Sequence, residues 1–148
     1  STLMEEERVP YILIHESRAD GPVAQEILKR SRMAAPVVER TCPLAIKGII
    51  GSAEAVLSSR FHGVVSALSQ AVPTISTSWS HKYQMLMEDY SVSENLVGLE
   101  PDKLAERVQA FSSEEYLAEL RQREADRGVV QRERASAMWD EVTTLLRS

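Results

Sequence analysis

Short apolar runs alternate with amphipathic stretches along most of the chain. Tyr11-Ile12-Leu13-Ile14 is rich in strand formers and stops at His15-Glu16-Ser17. Asp20-Gly21-Pro22 then announces a helix over about Pro22 to Arg30, with Val23, Ile27 and Leu28 near one face. Pro36 closes that segment, and Val37-Val38-Glu39-Arg40 reads as a second strand. Between Leu44 and Ala53, the residues Ile46, Ile49 and Ile50 recur at helical spacing. Ala55-Val56-Leu57-Ser58-Ser59 follows as a strand, and Gly63 to Gln70, with Val64, Val65, Ala67 and Leu68, as a buried helix. Val72 to Thr77 is a fourth strand. A helix starting at Ser80-His81-Lys82-Tyr83 then carries Tyr83, Leu86, Met87 and Tyr90 on its apolar side. Asn95-Leu96-Val97-Gly98-Leu99 predicts a fifth short strand, and Pro101 suits the first position of a helix bearing Leu104, Val108 and Phe111.

Strands joined by helices, with no hairpin turns between them, imply a mostly parallel sheet with helices on both faces, a Rossmann-like doubly wound α/β domain. The stretch from Ser112 to Ser148 differs in kind. It has 14 charged residues, no proline, and sparse apolar positions: Tyr116, Leu117, Leu120, Met138, Val142, Leu145 and Leu146. That pattern predicts poorly buried helices, with Gly128 as the break between two of them. Met138 and Trp139 offer a surface that packs either on this domain's own sheet or on something outside the chain. The expected organisation is a Rossmann-like domain over residues 1–111 followed by a helical extension over 112–148. At 148 residues the chain has the size of one compact domain.

Composition narrows the function classes. Seventeen Lys and Arg against 22 Asp and Glu leave a formal charge of −5, which argues against the broad basic face of a nucleic-acid binder, so any anion site must be local. The lone Cys42 has no partner for an intrachain disulfide, and with three scattered His residues there is no zinc-ligand spacing and no metal site to propose. Cys42, before Pro43, reads as a small buried apolar residue in a reducing cytoplasm, not as a nucleophile. No apolar run approaches the roughly 18 residues of a transmembrane segment, and the lead to Pro10 carries Glu5, Glu6 and Glu7 where a signal peptide would be basic and then apolar.

In an open parallel sheet, ligands bind beyond the carboxyl ends of the strands. Those ends read His15-Glu16-Ser17, Arg40-Thr41, Ser59-Arg60-Phe61-His62-Gly63 and Thr77-Ser78-Trp79-Ser80-His81-Lys82. Their cations and hydroxyls suit an anion. Arg60 brings a planar fork that matches phosphate or carboxylate, His62 is the best acid/base candidate, and Gly63 lets the chain come close to a ligand at a helix N-terminus. The plain alternative is that Arg60 pairs with an acidic neighbour and His62 is a structural histidine. Ser80 is a candidate N-cap. Lys82, in the first helical turn, opposes the helix dipole and so invites an anionic ligand, unless it simply points into water. His15 lies at the rim by topology or satisfies a loop carbonyl. Without a G-x-G-x-x-G or a Walker loop, dinucleotide and nucleoside triphosphate binding lose support.

The segments Leu44-Ala45-Ile46-Lys47-Gly48-Ile49-Ile50-Gly51-Ser52-Ala53, Ser59-Arg60-Phe61-His62-Gly63, Ala71-Val72-Pro73-Thr74-Ile75 and Ser80-His81-Lys82-Tyr83 come in an order and spacing that resembles the C-terminal half of the polysaccharide pyruvyl transferase family. The resemblance covers roughly Tyr11 to Leu99. It implies a two-domain architecture like that of the GT-B glycosyltransferases, and transfer of pyruvate from phosphoenolpyruvate to a sugar as a cyclic ketal, with no cofactor. Carried over, Arg60 grips the donor phosphate or carboxylate, the Phe61 backbone assists, His62 is the general acid and Lys82 neutralises the departing phosphate. Ser80 and, most loosely, His15 complete the donor site. The family usually has a small or aliphatic residue where Phe61 stands. The implied partners are phosphoenolpyruvate, a sugar or lipid-linked oligosaccharide acceptor and an N-terminal domain of the same protein, without which the chain is expected to be inactive. The implied setting is the cytoplasm or the inner face of the membrane. Competing readings are a nucleotide-sugar-binding domain of a GT-B glycosyltransferase and a noncatalytic binding domain of the same fold.

Overall fold

The computed structural model describes residues 9–31 and 34–147, so the acidic lead Glu5-Glu6-Glu7 lies outside the described residues. The order of elements is β1 (Ile12–Ile14), α1 (Ser17–Ser31), β2 (Val37–Glu39), α2 (Pro43–Gly51), β3 (Val56–Ser58), α3 (Phe61–Leu68), β4 (Thr74–Ser76), α4 (His81–Asp89), a 3-10 turn at Ser93–Asn95, α5 (Pro101–Ala110) and α6 (Glu114–Arg147). This is the β-α alternation that the sequence predicts, with parallel strands. The chain divides into two compact units, Ser1–Ile49 and Ile50–Ser148.

In the first unit, β1 and β2 pair in parallel with Ile12 opposite Val37 and Ile14 opposite Glu39. Helix α1 starts five residues before Pro22. The Asp20 carboxylate accepts the backbone N–H groups of His15 and Glu16, each at 3.4 Å, and this local closure starts the helix ahead of the proline. Pro22 then sits inside the helix, where it has no N–H to give to the preceding turn. Ala24 is buried and Leu28 half-buried, whereas Val23 and Ile27 stay exposed, so the inward face is one residue round from the predicted one.

In the second unit, β3 and β4 pair in parallel, Val56 opposite Thr74 and Ser58 opposite Ser76. All three residues of β4 are buried, as suits a strand covered on both faces. The predicted fifth strand is absent. Asn95 closes the 3-10 turn instead, and Leu96 makes a single parallel bridge to Ser76, with Val97 N–H donating to the Ser76 carbonyl at 2.9 Å. Gly98, at φ +59°, turns the chain away before a ladder can extend. The core joins Val64, Leu68, Ile75, Tyr83, Met87, Tyr90, Val92, Val97 and Phe111 to Leu117 and Leu120 of α6.

Helix α6 therefore corrects two expectations. Its first half belongs to the core, and it runs unbroken through Gly128 for 34 residues. Gly128 is buried, and a Cβ there would lie 3.9 Å from the Tyr90 ring. Beyond Gln131 every described residue except Val142 is exposed, Trp139 and Leu146 among them. Among the described residues no helix is long and apolar enough to cross a membrane.

Candidate functional site

The exits of β3 and β4 are laced together by serine and tyrosine hydroxyls. Ser58 Oγ accepts the Arg60 N–H at 3.1 Å and donates to the Arg60 carbonyl at 3.2 Å, and that carbonyl also receives the Val64 N–H, the first intrahelical bond of α3. Arg60 stands at the N-cap in extended conformation (φ −94°, ψ 126°), with its side chain outside the capping role. One residue back, the Ser59 carbonyl accepts both the Ser78 and Tyr83 hydroxyls, each at 2.8 Å. Those two bonds tie the β4–α4 loop to the start of α3.

Gly63 has a different use from the expected one. A Cβ there would fall 2.7 Å from Ser58 Oγ, so the open face of the glycine is filled by the strand-end serine and not by a ligand.

Phe61 organises the cations. Its half-buried ring meets Tyr83 edge-on at 5.2 Å and His62 at 6.1 Å, and the Lys82 ammonium lies over it, 4.7 Å from the centroid. Lys82 also lies 5.5 Å from the Tyr83 ring centroid. The Phe61 ring is thus an aromatic seat for a cation. Arg60, His62, Ser80, His81 and Lys82 are all exposed. Neither α3 nor α4 has an acidic residue in its first turn, so two positive helix ends and the local cations meet no carboxylate from those turns. Ser80 occupies the N-cap position of α4 without a side-chain cap bond; its carbonyl accepts the Tyr83 and Gln84 N–H groups. The arrangement can bind a small anion and present an imidazole beside it.

His15 is in the other unit. Its Nδ1 lies 3.3 Å from the Arg40 carbonyl oxygen, which keeps the proton on that nitrogen and ties the ring to the exit of β2. Two grooves of the second unit, about 340 and 240 Å³, are lined by Leu68–Ala71 with the middle of α6, and by Glu94, Val97, Lys103, Glu106 and Arg107. Neither includes Arg60, His62 or Lys82, which are exposed. Among the described residues no group of three or more His, Cys, Asp or Glu could hold a metal ion.

A family model described as polysaccharide pyruvyl transferase matches residues 2–81, more than half of the chain. The chain belongs to the polysaccharide pyruvyl transferase family. No curated protein and no solved structure matches it. The segment shared with the pyruvyl transferases contains His15, Arg60, Phe61, His62 and Ser80, and stops one residue before Lys82. Sequence reasoning missed the bracketing hydroxyls of this pyruvyl transferase chain. Ser58 was legible as a hydroxyl at a strand end, whereas Tyr83 read only as an apolar helix position although its ring tip reaches a carbonyl across the loop.

Proposed function

We propose that this chain supplies the donor-binding part of an enzyme that transfers pyruvate from phosphoenolpyruvate to two hydroxyls of a polysaccharide sugar, giving a cyclic ketal and inorganic phosphate. Family membership supports the reaction class, and one observation supports the donor site: the Lys82 ammonium seated on the ring of Phe61, between Arg60 and His62 in the chain. In this reading Arg60 binds the phosphate or carboxylate of the donor with its bidentate fork. His62 gives a proton to the methylene carbon, which becomes the methyl group and leaves an electrophilic carbon next to oxygen. One sugar hydroxyl adds there and its proton restores His62, the C–O bond to phosphate breaks with the electron pair leaving on phosphate, and the second hydroxyl closes the ketal as its proton passes to the released phosphate. Lys82 offsets the charge of the departing phosphate. Ser80 is assigned to the same donor site, whereas His15 belongs to the other unit. The donor site lies on the second unit, Ile50–Ser148, whose core takes in the first half of α6, and an N-terminal domain of the same protein completes a GT-B-like cleft in the cytoplasm or at the inner face of the membrane.

The test is phosphate release from phosphoenolpyruvate by the full-length protein with a sugar acceptor, alongside thermal shift with the donor. Donor binding is expected to raise the melting temperature by mass action, and Arg60→Ala to abolish that rise. Lys82→Ala is expected to lower kcat about 10²-fold or more. Stabilisation by uridine or guanosine diphosphate and not by phosphoenolpyruvate would assign the rim to a nucleotide sugar instead.

A further inference from the structure

The loop that follows β4 is fixed on both sides of a residue it leaves in water. The Thr77 N–H donates to the Ser58 carbonyl at 3.1 Å, and the Ser78 and Tyr83 hydroxyls close on the Ser59 carbonyl. Between them, Trp79 is 72% exposed. Beneath it Gly98, at φ +59°, brings the backbone close: a Cβ on Gly98 would lie 3.8 Å from the Trp79 Cβ. An indole is among the largest apolar surfaces a residue can offer, and burying it would contribute more than almost any other side chain. Here the backbone on either side is ordered and the ring is held outward, an arrangement that core packing does not account for.

The surroundings of the ring indicate what fits it. The next residues in the chain, Ser80, His81 and Lys82, are all exposed and carry a hydroxyl, an imidazole and an ammonium. A pyranose has matching chemistry: a flat face of C–H bonds for the indole and a rim of hydroxyls for polar neighbours. Leu99, which follows Gly98 in the chain, is also exposed. The position is also right. Ser59, whose carbonyl anchors Ser78 and Tyr83 on either side of Trp79, precedes Arg60 in the chain, so the loop that carries the indole is tied to the start of the donor segment. A hydroxyl that is to add to the donor carbon must be held within about 3–3.5 Å of it, and a stacked ring is oriented for that approach.

We infer that Trp79 is the stacking platform for the sugar ring of the acceptor, which places one acceptor contact on this chain next to the donor site. The inference rests on the pyruvyl-transfer reading. It is tested in the full-length protein with methyl pyranosides of the gluco, galacto and manno series, following phosphate release from phosphoenolpyruvate. Trp79→Ala is expected to raise the KM of the working pyranoside at least ten-fold while the phosphoenolpyruvate KM moves less than two-fold, and Trp79→Phe to recover most of the loss. An unchanged acceptor KM overturns the assignment. So does a parallel rise in both KM values with a lowered melting temperature, which would make the indole a protein contact. If the wild type releases phosphate with none of the sugars, the transfer reading fails by itself and indole fluorescence decides the platform separately. A saturable quench by pyranosides that disappears in Trp79→Phe retains it, and a flat response overturns it.

Discussion

Gly63 shows how a single missing side chain sets the geometry of the rim. The space where its Cβ would stand holds Ser58 Oγ, which both donates to and accepts from Arg60 and so fixes the backbone of the residue proposed to grip the donor. Gly63→Ala would force a contact of 2.7 Å onto a hydroxyl already committed to two hydrogen bonds. The expected loss is about 1–3 kcal/mol of stability by chemical denaturation, in the range of overpacked sites. Ser58→Ala removes the obstructing atom and leaves its own Cβ at 3.5 Å, an ordinary contact, so Gly63→Ala in that background should cost less than about 0.5 kcal/mol beyond Ser58→Ala alone. Costs that simply add would refute the bracket. The glycine was visible in the sequence, but its reason was not: a gap left for a ligand and a gap left for a serine five residues back have the same one-letter code.

At the level of elements, the alternation of strands and helices was legible because apolar periodicity changes sharply between them. What the pattern could not convey was how ends are made. Helices α3 and α4 both finish in Schellman turns whose left-handed residues are Ala71 (φ 55°) and Ser91 (φ 58°), so no glycine announces them. Gly128 misled in the opposite direction. A glycine in a long charged stretch normally weakens a helix by about 1 kcal/mol relative to alanine, hence the expected break. Helix α6 crosses that position because it is stitched to the end of α4. The Asp89 carbonyl accepts from Arg127 Nε at 3.0 Å and from Gln131 Nε2 at 3.2 Å, and the Ser91 carbonyl from Arg123 at 3.1 Å, so side chains of one helix satisfy the terminal carbonyls of the other. The nearest atoms to a new Cβ on Gly128 are the tip of Arg132 at 3.4 Å and the Tyr90 ring at 3.9 Å. Gly128→Ala should therefore stabilise the protein by about 0.5–1 kcal/mol, a rise of about 2–4 °C in Tm. A fall would show that the tyrosine needs the bare backbone.

For the molecule as a whole, the same helix makes stability depend on pH through one buried acid. Glu124 is fully buried and neither carboxylate oxygen has a hydrogen-bond partner. Desolvation pushes its pKa up to about 8, aided by Glu94; Arg121, Arg123 and the Thr74 backbone amide pull the other way, the amide without reaching hydrogen-bond geometry. Unfolded, the group titrates near 4.5. Between those values the folded state binds the proton and the unfolded state does not, so stability falls as pH rises through that window, and levels off above about pH 8. Nothing in the sequence distinguished this glutamate from the other acids of the charged tail, because its burial follows from its place between Leu120 and Gly128 on the inward face. Denaturation at pH 6 and pH 9 should show the wild type losing roughly 1–3 kcal/mol more than Glu124→Gln, whose side chain does not titrate. Replacement by leucine should flatten the same difference, since an apolar side chain of similar size suits a site that offers no partner. Equal pH slopes in all three proteins would mean that the carboxyl is charged in the folded state, with its penalty met by Arg121 and Arg123.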